Sequence, residues 1–343
     1  MGNLPIDSLL RRPEVGAFLG MVFVAVFFTV FGGAHFASPQ GVASWLNVAA
    51  NLGIIAVPIG FLMIAGELDI SIGAMVPAAS MCIGILSGFY HLPIIVGIAA
   101  TLAFGVVIGL INGVIVIRTA VPSLIVTMGT LFAVAGLMLF LSIFLTKTTS
   151  VSMTAPPWAK TIFGSFIGGT FQVMIFWWIG LTALYFYFLH LSPWGNWLFA
   201  LGGDKVSARN AGIPTDKLTV ALFVLSAVSA AFVGMCQTIL FNSAQVSTGQ
   251  SFIFNSIISV VVGGVLLTGG FGSVIGIVFG TITFAIVNQG IYYTDFDRNL
   301  SSLIIGVMLL IAVLMNNTFR KMAVNYAGKK PAATFAVAKK GVA

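Results

Sequence analysis

Long apolar blocks, each closed by a short cluster of glycine, proline or charged residues, repeat along this chain from Val15 to about residue 317. A helix crossing a ~30 Å hydrocarbon core needs about 20 largely apolar residues, and it satisfies its own backbone where no water can. Blocks of that length predict spanning helices near 15–33, 44–65, 70–89, 93–117, 122–145, 171–190, 218–240, 252–269, 272–294 and 300–317. The expected count is ten. Between the second and third, Pro58 and the polar run Gly66-Glu67-Leu68-Asp69 interrupt the hydrophobicity, which leaves a broken helix open at that point. The expected fold class is all-α, a polytopic membrane protein of about ten transmembrane helices with both termini cytoplasmic.

Composition excludes a soluble domain. Of 343 residues, 59% are hydrophobic and 7% charged, where a soluble domain carries roughly a quarter charged residues. The 39 glycines suit membrane helices, which approach one another closely over small residues. Orientation follows from Lys and Arg, which concentrate in cytoplasmic segments. With the N-terminus inside, the cytoplasmic segments hold Arg11, Arg12, Arg118, Lys205, Arg209, Lys217, Arg320, Lys321, Lys329, Lys330, Lys339 and Lys340, and the outer ones hold Lys147, Lys160 and Arg298. That split of twelve against three is what an even helix count produces. The net charge of +7 is therefore an orientation signal, and no nucleic-acid partner is implied. Arg11 and Arg12 precede an apolar run as in a signal peptide, but the run is long for one and Ala34-His35-Phe36-Ala37 is a poor cleavage site, so it is read as the first helix. Residues 1–318 form the expected transmembrane domain, and 319–343 a basic, disordered cytoplasmic tail near anionic lipid.

Two polar features stand out against this background. Glu67 and Asp69 are the acidic residues well inside an apolar stretch, Ala65-Gly66-Glu67-Leu68-Asp69-Ile70-Ser71-Ile72-Gly73. A carboxylate at bilayer depth costs several kcal/mol, so the pair either lines a solute path, or satisfies amides freed at a helix break, or sits at the cytoplasmic interface. The second feature is 202–214, between the sixth and seventh helices, where Asp204 suits an N-cap, Gly212 a left-handed C-terminal position and Pro214 a stop. A two-turn helix is marginal alone in water, so it either docks a partner or folds back as an interhelical loop. Two glycine stripes, Gly105-Gly109-Gly113 and Gly272-Gly276-Gly280, lie five helices apart, as an inverted repeat requires, but in different halves of their helices. Two independent close-packing faces are the favoured reading.

The chain has no phosphate-binding loop of the G-x-x-x-x-G-K-[ST] type, no H-E-x-x-H and no G-x-S-x-G. His35, His91 and His190 sit near predicted membrane edges, and Cys82 and Cys236 lie in apolar runs without metal-ligand spacing. The expectation is a non-enzymatic protein with no cofactor and no metal.

At these polar features the chain resembles the permeases of bacterial ATP-binding cassette importers for ribose, xylose, galactosides, related sugars and autoinducer-2. The family's G-G-I-D-L-S-V-G is similar to residues 66–73, with Asp69, Ser71 and Gly73 matching and Glu67 standing where Gly is common. Its N-G and V-P-S-F-I-V-T-L-G resemble Asn112-Gly113 and residues 121–129. Its cytoplasmic loop resembles Ala200-Leu201-Gly202-Gly203-Asp204, Ser207-Ala208 and Asn210-Ala211-Gly212-Ile213-Pro214, with Asn196 in place of an Arg. A last block, 261–276, carries Gly263, Gly264, Gly269, Gly270, Gly272, Ser273, Val274 and Gly276 in register. The likeness covers about residues 44–316. It implies an inner-membrane homodimer, a separate cytoplasmic ATP-hydrolysing subunit, a periplasmic sugar-binding protein and a sugar as substrate. It also implies a translocation path near Glu67, Asp69, Ser71 and Asn112, and coupling to the ATPase through Gly203, Asp204, Ser207, Ala208, Ala211 and Gly212. The rival expectation is an ion-coupled secondary transporter with Glu67 or Asp69 carrying a proton.

Overall fold

The computed structural model describes residues 13–247 and 249–294, with positions 297, 300, 302–304, 306, 307 and 310 beyond them. Helix α1 (Pro13–Ala37) bends at Gly33, whose φ of +61° lies in the left-handed region. Helix α2 (Pro39–Ile64) begins where Ser38 Oγ accepts the Gly41 N–H at 3.1 Å, and it runs through Pro58 without ending. Then come α3 (Ile72–Ile83), continued by a π-helical turn Gly84–Phe89, α4 (Ile94–Arg118) and α5 (Ser123–Thr146). Pro93 and Pro122 sit just before α4 and α5, where a missing N–H costs nothing. The short α6 (Pro157–Phe163) follows, then α7 (Met174–His190), α8 (Pro193–Gly203) and α9 (Lys205–Asn210). Helices α10 (Thr215–Phe241), α11 (Ser251–Val262) and α12 (Val274–Gly290) complete the bundle.

Among the described residues, seven helices are long and apolar enough to cross a membrane, and α7 with α8, bent by 71°, adds an eighth if taken as one span. The chain is an all-α, multi-pass membrane protein. Three helices differ from expectation, the short α6 lying between the predicted helices 122–145 and 171–190. Helix α8 occupies residues read as loop, and α11 stops at Val262 where the pattern predicts helix to 269. Gly264, Gly269 and Gly270 all have positive φ, so the chain turns back instead of continuing. The expected helix at 300–317 falls largely outside the described residues, as do Arg11, Arg12 and the whole of 319–343.

Helix α2 is the axis: from Ala49 to Ile64 it is buried on every side. Helices α1 and α5 instead present apolar faces, with Phe23 72% and Phe132 69% exposed. Lipid is as apolar as these side chains, so close packing and hydrogen bonds must hold the helices together. The glycine stripes serve that end. On Gly113 a Cβ would sit 2.8 Å from Val220 Cα, and on Gly105 3.1 Å from Val228 Cα, so α4 and α10 touch backbone to backbone. Gly276 abuts Gly263, just past α11, and Gly280 abuts Ser259 on α11. The two stripes thus have different partners.

The loops gather at two ends. One holds two short antiparallel pairs, β1 (Ser150–Ser152) with β4 (Ser243–Gln245) and β2 (Phe166–Ile167) with β3 (Phe171–Gln172). Asn47 of α2 is fastened there, donating to Thr170 O at 2.9 Å and accepting from Gln172 N at 2.8 Å. The other end holds residues 65–71 and 263–273 and helices α8 and α9, together with Arg118, Lys205, Arg209 and Lys217, basic residues expected on the cytoplasmic side.

Candidate functional site

Between α2 and α3 the chain leaves helical geometry from Ala65 to Ser71, with Gly66 at φ +83°. Such a break strands backbone amides that neither helix can satisfy; side chains of α5 reach in to meet two of them, and α4 and α10 bond the side chains of the break itself. Ser123 Oγ, at the start of α5, accepts the Leu68 N–H at 3.0 Å, and Thr127 Oγ1 accepts the Ile70 N–H at 3.3 Å. Asp69, 1% exposed, completes the set. Its Oδ1 accepts from the Ser71 N–H at 2.9 Å and the Ser71 hydroxyl at 2.5 Å, and its Oδ2 accepts from Ser226 of α10 at 2.8 Å. Asn112 Nδ2 on α4 donates to Ser71 Oγ at 3.0 Å, and Thr130 Oγ1 on α5 donates to Asn112 Oδ1 at 2.6 Å. One carboxylate and its neighbours therefore tie α4, α5 and α10 to the break.

Glu67 belongs to a different environment. Its carboxylate lies 3.6 Å from Lys205 Nζ on α9, with side-chain exposures of 16% and 41%. Two further segments meet the same spot. Gly202 lies directly on the Ile64 carbonyl, the Gly270 N–H donates to that carbonyl at 2.8 Å, and Gly269 packs on Gly66. Only glycine fits at such approaches. The ends of α2 and α8 and the turn after α11 thus form one three-way junction.

Helix α9 is closed at both ends by local chemistry. Asp204 Oδ1 accepts the Ser207 N–H at 2.6 Å, which holds its carboxyl below the ordinary carboxylate range. At the other end the Ile213 N–H reaches Ala208 O at 3.1 Å and the Gly212 N–H reaches Arg209 O at 3.0 Å, with Gly212 at φ +83°. That is a Schellman pair on a left-handed glycine. Gly203, Asp204, Ser207, Ala211 and Gly212 face solvent, whereas Ala208 is packed inward at 4% exposure. Arg209 folds back onto Asp216 of α10. Val206, 68% exposed, is an apolar residue on this solvent face that motif reading passes over; its signal was a lone apolar side chain on a short polar helix.

Of the residues expected at a path, Asp69, Ser71 and Asn112 form one connected cluster and Glu67 stands apart from it. Ser226 and Thr130, members of that cluster, come from positions no motif singled out. A bundle of spanning helices, with a polar-braced break near its basic end and a capped short helix beside it, is the body of a multi-pass membrane protein. The family described as branched-chain amino acid transport system / permease component matches residues 41–313. The chain belongs to that family and is an inner-membrane transport permease.

Among its curated relatives, the fructose import permease protein FrcC of Rhizobium meliloti is 27% identical over 322 residues, 92% of this chain and 88% of the relative. The autoinducer 2 import system permease protein LsrD is 28% identical in Photorhabdus luminescens and 29% in Escherichia coli strain K12, each over 77% of this chain and 79% of the relative. No solved structure matches the chain.

Proposed function

We propose that this chain is the membrane subunit of an ATP-driven importer for a sugar or sugar-like solute, paired with a second copy of itself and with a separate ATP-hydrolysing subunit, and fed by a periplasmic binding protein. The observation that carries the proposal is the capped helix α9. Six residues cannot hold a helix in water alone, yet this one is built with an N-cap, a Schellman close and an outward face, and it sits on the junction where α2 breaks. A partner pressing on Gly203, Asp204, Val206, Ser207, Ala211 and Gly212 would push directly on that break. Asp69, Ser71 and Asn112 then brace the wall of the path within a domain spanning residues 1–318. The names of the relatives, fructose and autoinducer-2 permeases, favour a polyhydroxylated solute over the amino acids in the family's description.

An ion-coupled transporter needs a carboxylate free to take up and release its ion. Asp69 is engaged by Ser71 and Ser226, and Glu67 faces Lys205, which disfavours that alternative. The test is reconstitution. The permease alone in liposomes under a proton or sodium gradient accumulates no fructose or ribose. With the ATPase, ATP and a loaded binding protein, uptake begins. Gradient-driven accumulation by the lone permease overturns the proposal, and ATP-driven uptake of leucine but of no sugar overturns the solute class.

A further inference from the structure

We propose that the cytoplasmic half of α10 binds one anionic phospholipid, with an acyl chain on each side of the helix and the phosphate at Lys217 and Arg118. Two grooves of about 530 Å³ and 550 Å³ run along α10 and share Ala221, Leu225 and Val228 as the ridge between them. Aromatic and aliphatic residues of α2 and α7 wall the first, among them Phe61, Trp177 and Phe188; Leu110 and Ile117 of α4 wall the second. Neither suits the transported solute. The polar pair in the first, Tyr185 OH and Ser229 Oγ, lie 3.3 Å apart and satisfy each other, so a sugar would shed its water there for nothing.

The second groove and the shared ridge match a lipid leaflet in length, and the first groove runs one turn further, to Phe232. Lys217 to Val228 is eleven residues, or about 16 Å of helix at 1.5 Å per residue, and half of a ~30 Å core is about 15 Å. The grooves also end at the right chemistry. Trp194, 51% exposed, stands at the cytoplasmic mouth of the first, where amphipathic indoles favour the headgroup level. Exposed Lys217 closes the second. Because Gly113 packs on Val220 and the two helices run antiparallel, exposed Arg118 ends α4 at the level of the α10 start. Asp216, the carboxylate lining that groove, is already paired with Arg209. The local charge is positive, it faces the leaflet that carries anionic lipid, and basic sites between helices on that side bind such headgroups. A second copy of this chain is the poorer occupant, since a two-fold contact here would set these cations against their own counterparts.

The experiment uses the full chain in nanodiscs containing phosphatidylglycerol or phosphatidylcholine with brominated acyl chains, which quench Trp177 and Trp194 on contact. Trace brominated lipid in a background of the other headgroup reads the preference. Phosphatidylglycerol is expected to quench at several-fold lower mole fraction than phosphatidylcholine. In the double variant R118Q/K217Q that preference should fall to near unity, while Ala221→Phe should weaken quenching by both lipids. Both charge changes are at exposed positions, and the melting temperature of the variant checks its folding. Equal quenching by the two lipids, or a preference unaltered in R118Q/K217Q, overturns the proposal. A switch of R118Q/K217Q from monomer to dimer, or the reverse, with unchanged lipid preference assigns the face to a second copy instead. The outcome does not depend on how transport is energised.

Discussion

Replacing Asp69 by alanine should loosen the break between α2 and α3 more than any other single change to a polar residue there. The carboxylate is 1% exposed and accepts three hydrogen bonds, two from Ser71 and one from Ser226. Removing it strands the Ser71 N–H and the Ser226 hydroxyl in a dry site, at about 1–3 kcal/mol for each buried donor. Polar contacts between membrane helices average only about 0.6 kcal/mol, because the membrane-inserted reference state finds other partners. Two circumstances push this site above that average: the acceptor is a carboxylate, and one donor is a backbone amide at a break that has no helical substitute. About 3 kcal/mol is therefore expected, which at about 2 °C per kcal/mol lowers melting by about 6 °C. Ser226→Ala removes one donor and leaves Asp69 two, so about 1 kcal/mol and about 2 °C follow. Asp69→Asn, which keeps the shape, should fall between them. Cys236 is buried and Cys82 half-buried, so a thiol-reactive fluorophore that lights up on labelling reports unfolding in detergent. An Asp69→Ala protein melting within about 1 °C of the parent would refute the reasoning, because a network that can be deleted at no cost is not holding the break.

Other perturbations probe other parts of the structure. Gly109 faces the Val224 N and Phe223 O atoms 2.8 Å from where a Cβ would lie, and backbone cannot step aside; Gly109→Val should cost about 1–3 kcal/mol by overpacking, read in the same melting assay. The partly exposed Glu67–Lys205 pair is worth under about 1 kcal/mol, so Glu67→Gln should barely move melting yet reduce uptake per ATP hydrolysed in the reconstituted importer, with E67K/K205E restoring it; unchanged coupling in Glu67→Gln rules out a role for the pair. Val206→Glu should abolish ATPase co-purification without altering folded yield, and retained binding places the docking face elsewhere. Because the Asp204 carboxyl is held below its ordinary range by the Ser207 N–H, its cap on α9 is fully present above that range and lost as pH falls through the depressed value. Hydrogen exchange at Ser207 should therefore gain protection as pH rises through that interval, after correction for intrinsic rates, and Asp204→Ala should remove the effect.

What the sequence determined by itself is what depends on near neighbours. Crossing a membrane is a property of about twenty consecutive residues, so the spans from α1 to α5, with α7, α10 and α12, are legible from hydrophobicity alone. The ends of α9 are equally local: Asp204 meets Ser207 and Gly212 meets Arg209, each within three residues. Tertiary structure decided everything that joins distant positions. Asp69 and Ser226 are 157 residues apart, and Asn112 and Ser71 are 41 apart; no period or motif encodes which hydroxyl will face a buried carboxylate. Helix α11 stops at Val262 and α8 forms after Pro193 because glycines let the turn after α11 and the end of α8 pack on the end of α2. Those contacts outweigh the hydrophobicity that predicted a longer α11. Glu67 was visible as a charge in an apolar stretch, but its partner Lys205 lies on α9, 138 residues further along the chain. Only the packing of α9 on the break could show that Asp69 is walled in by helices while Glu67, two residues away, meets α9.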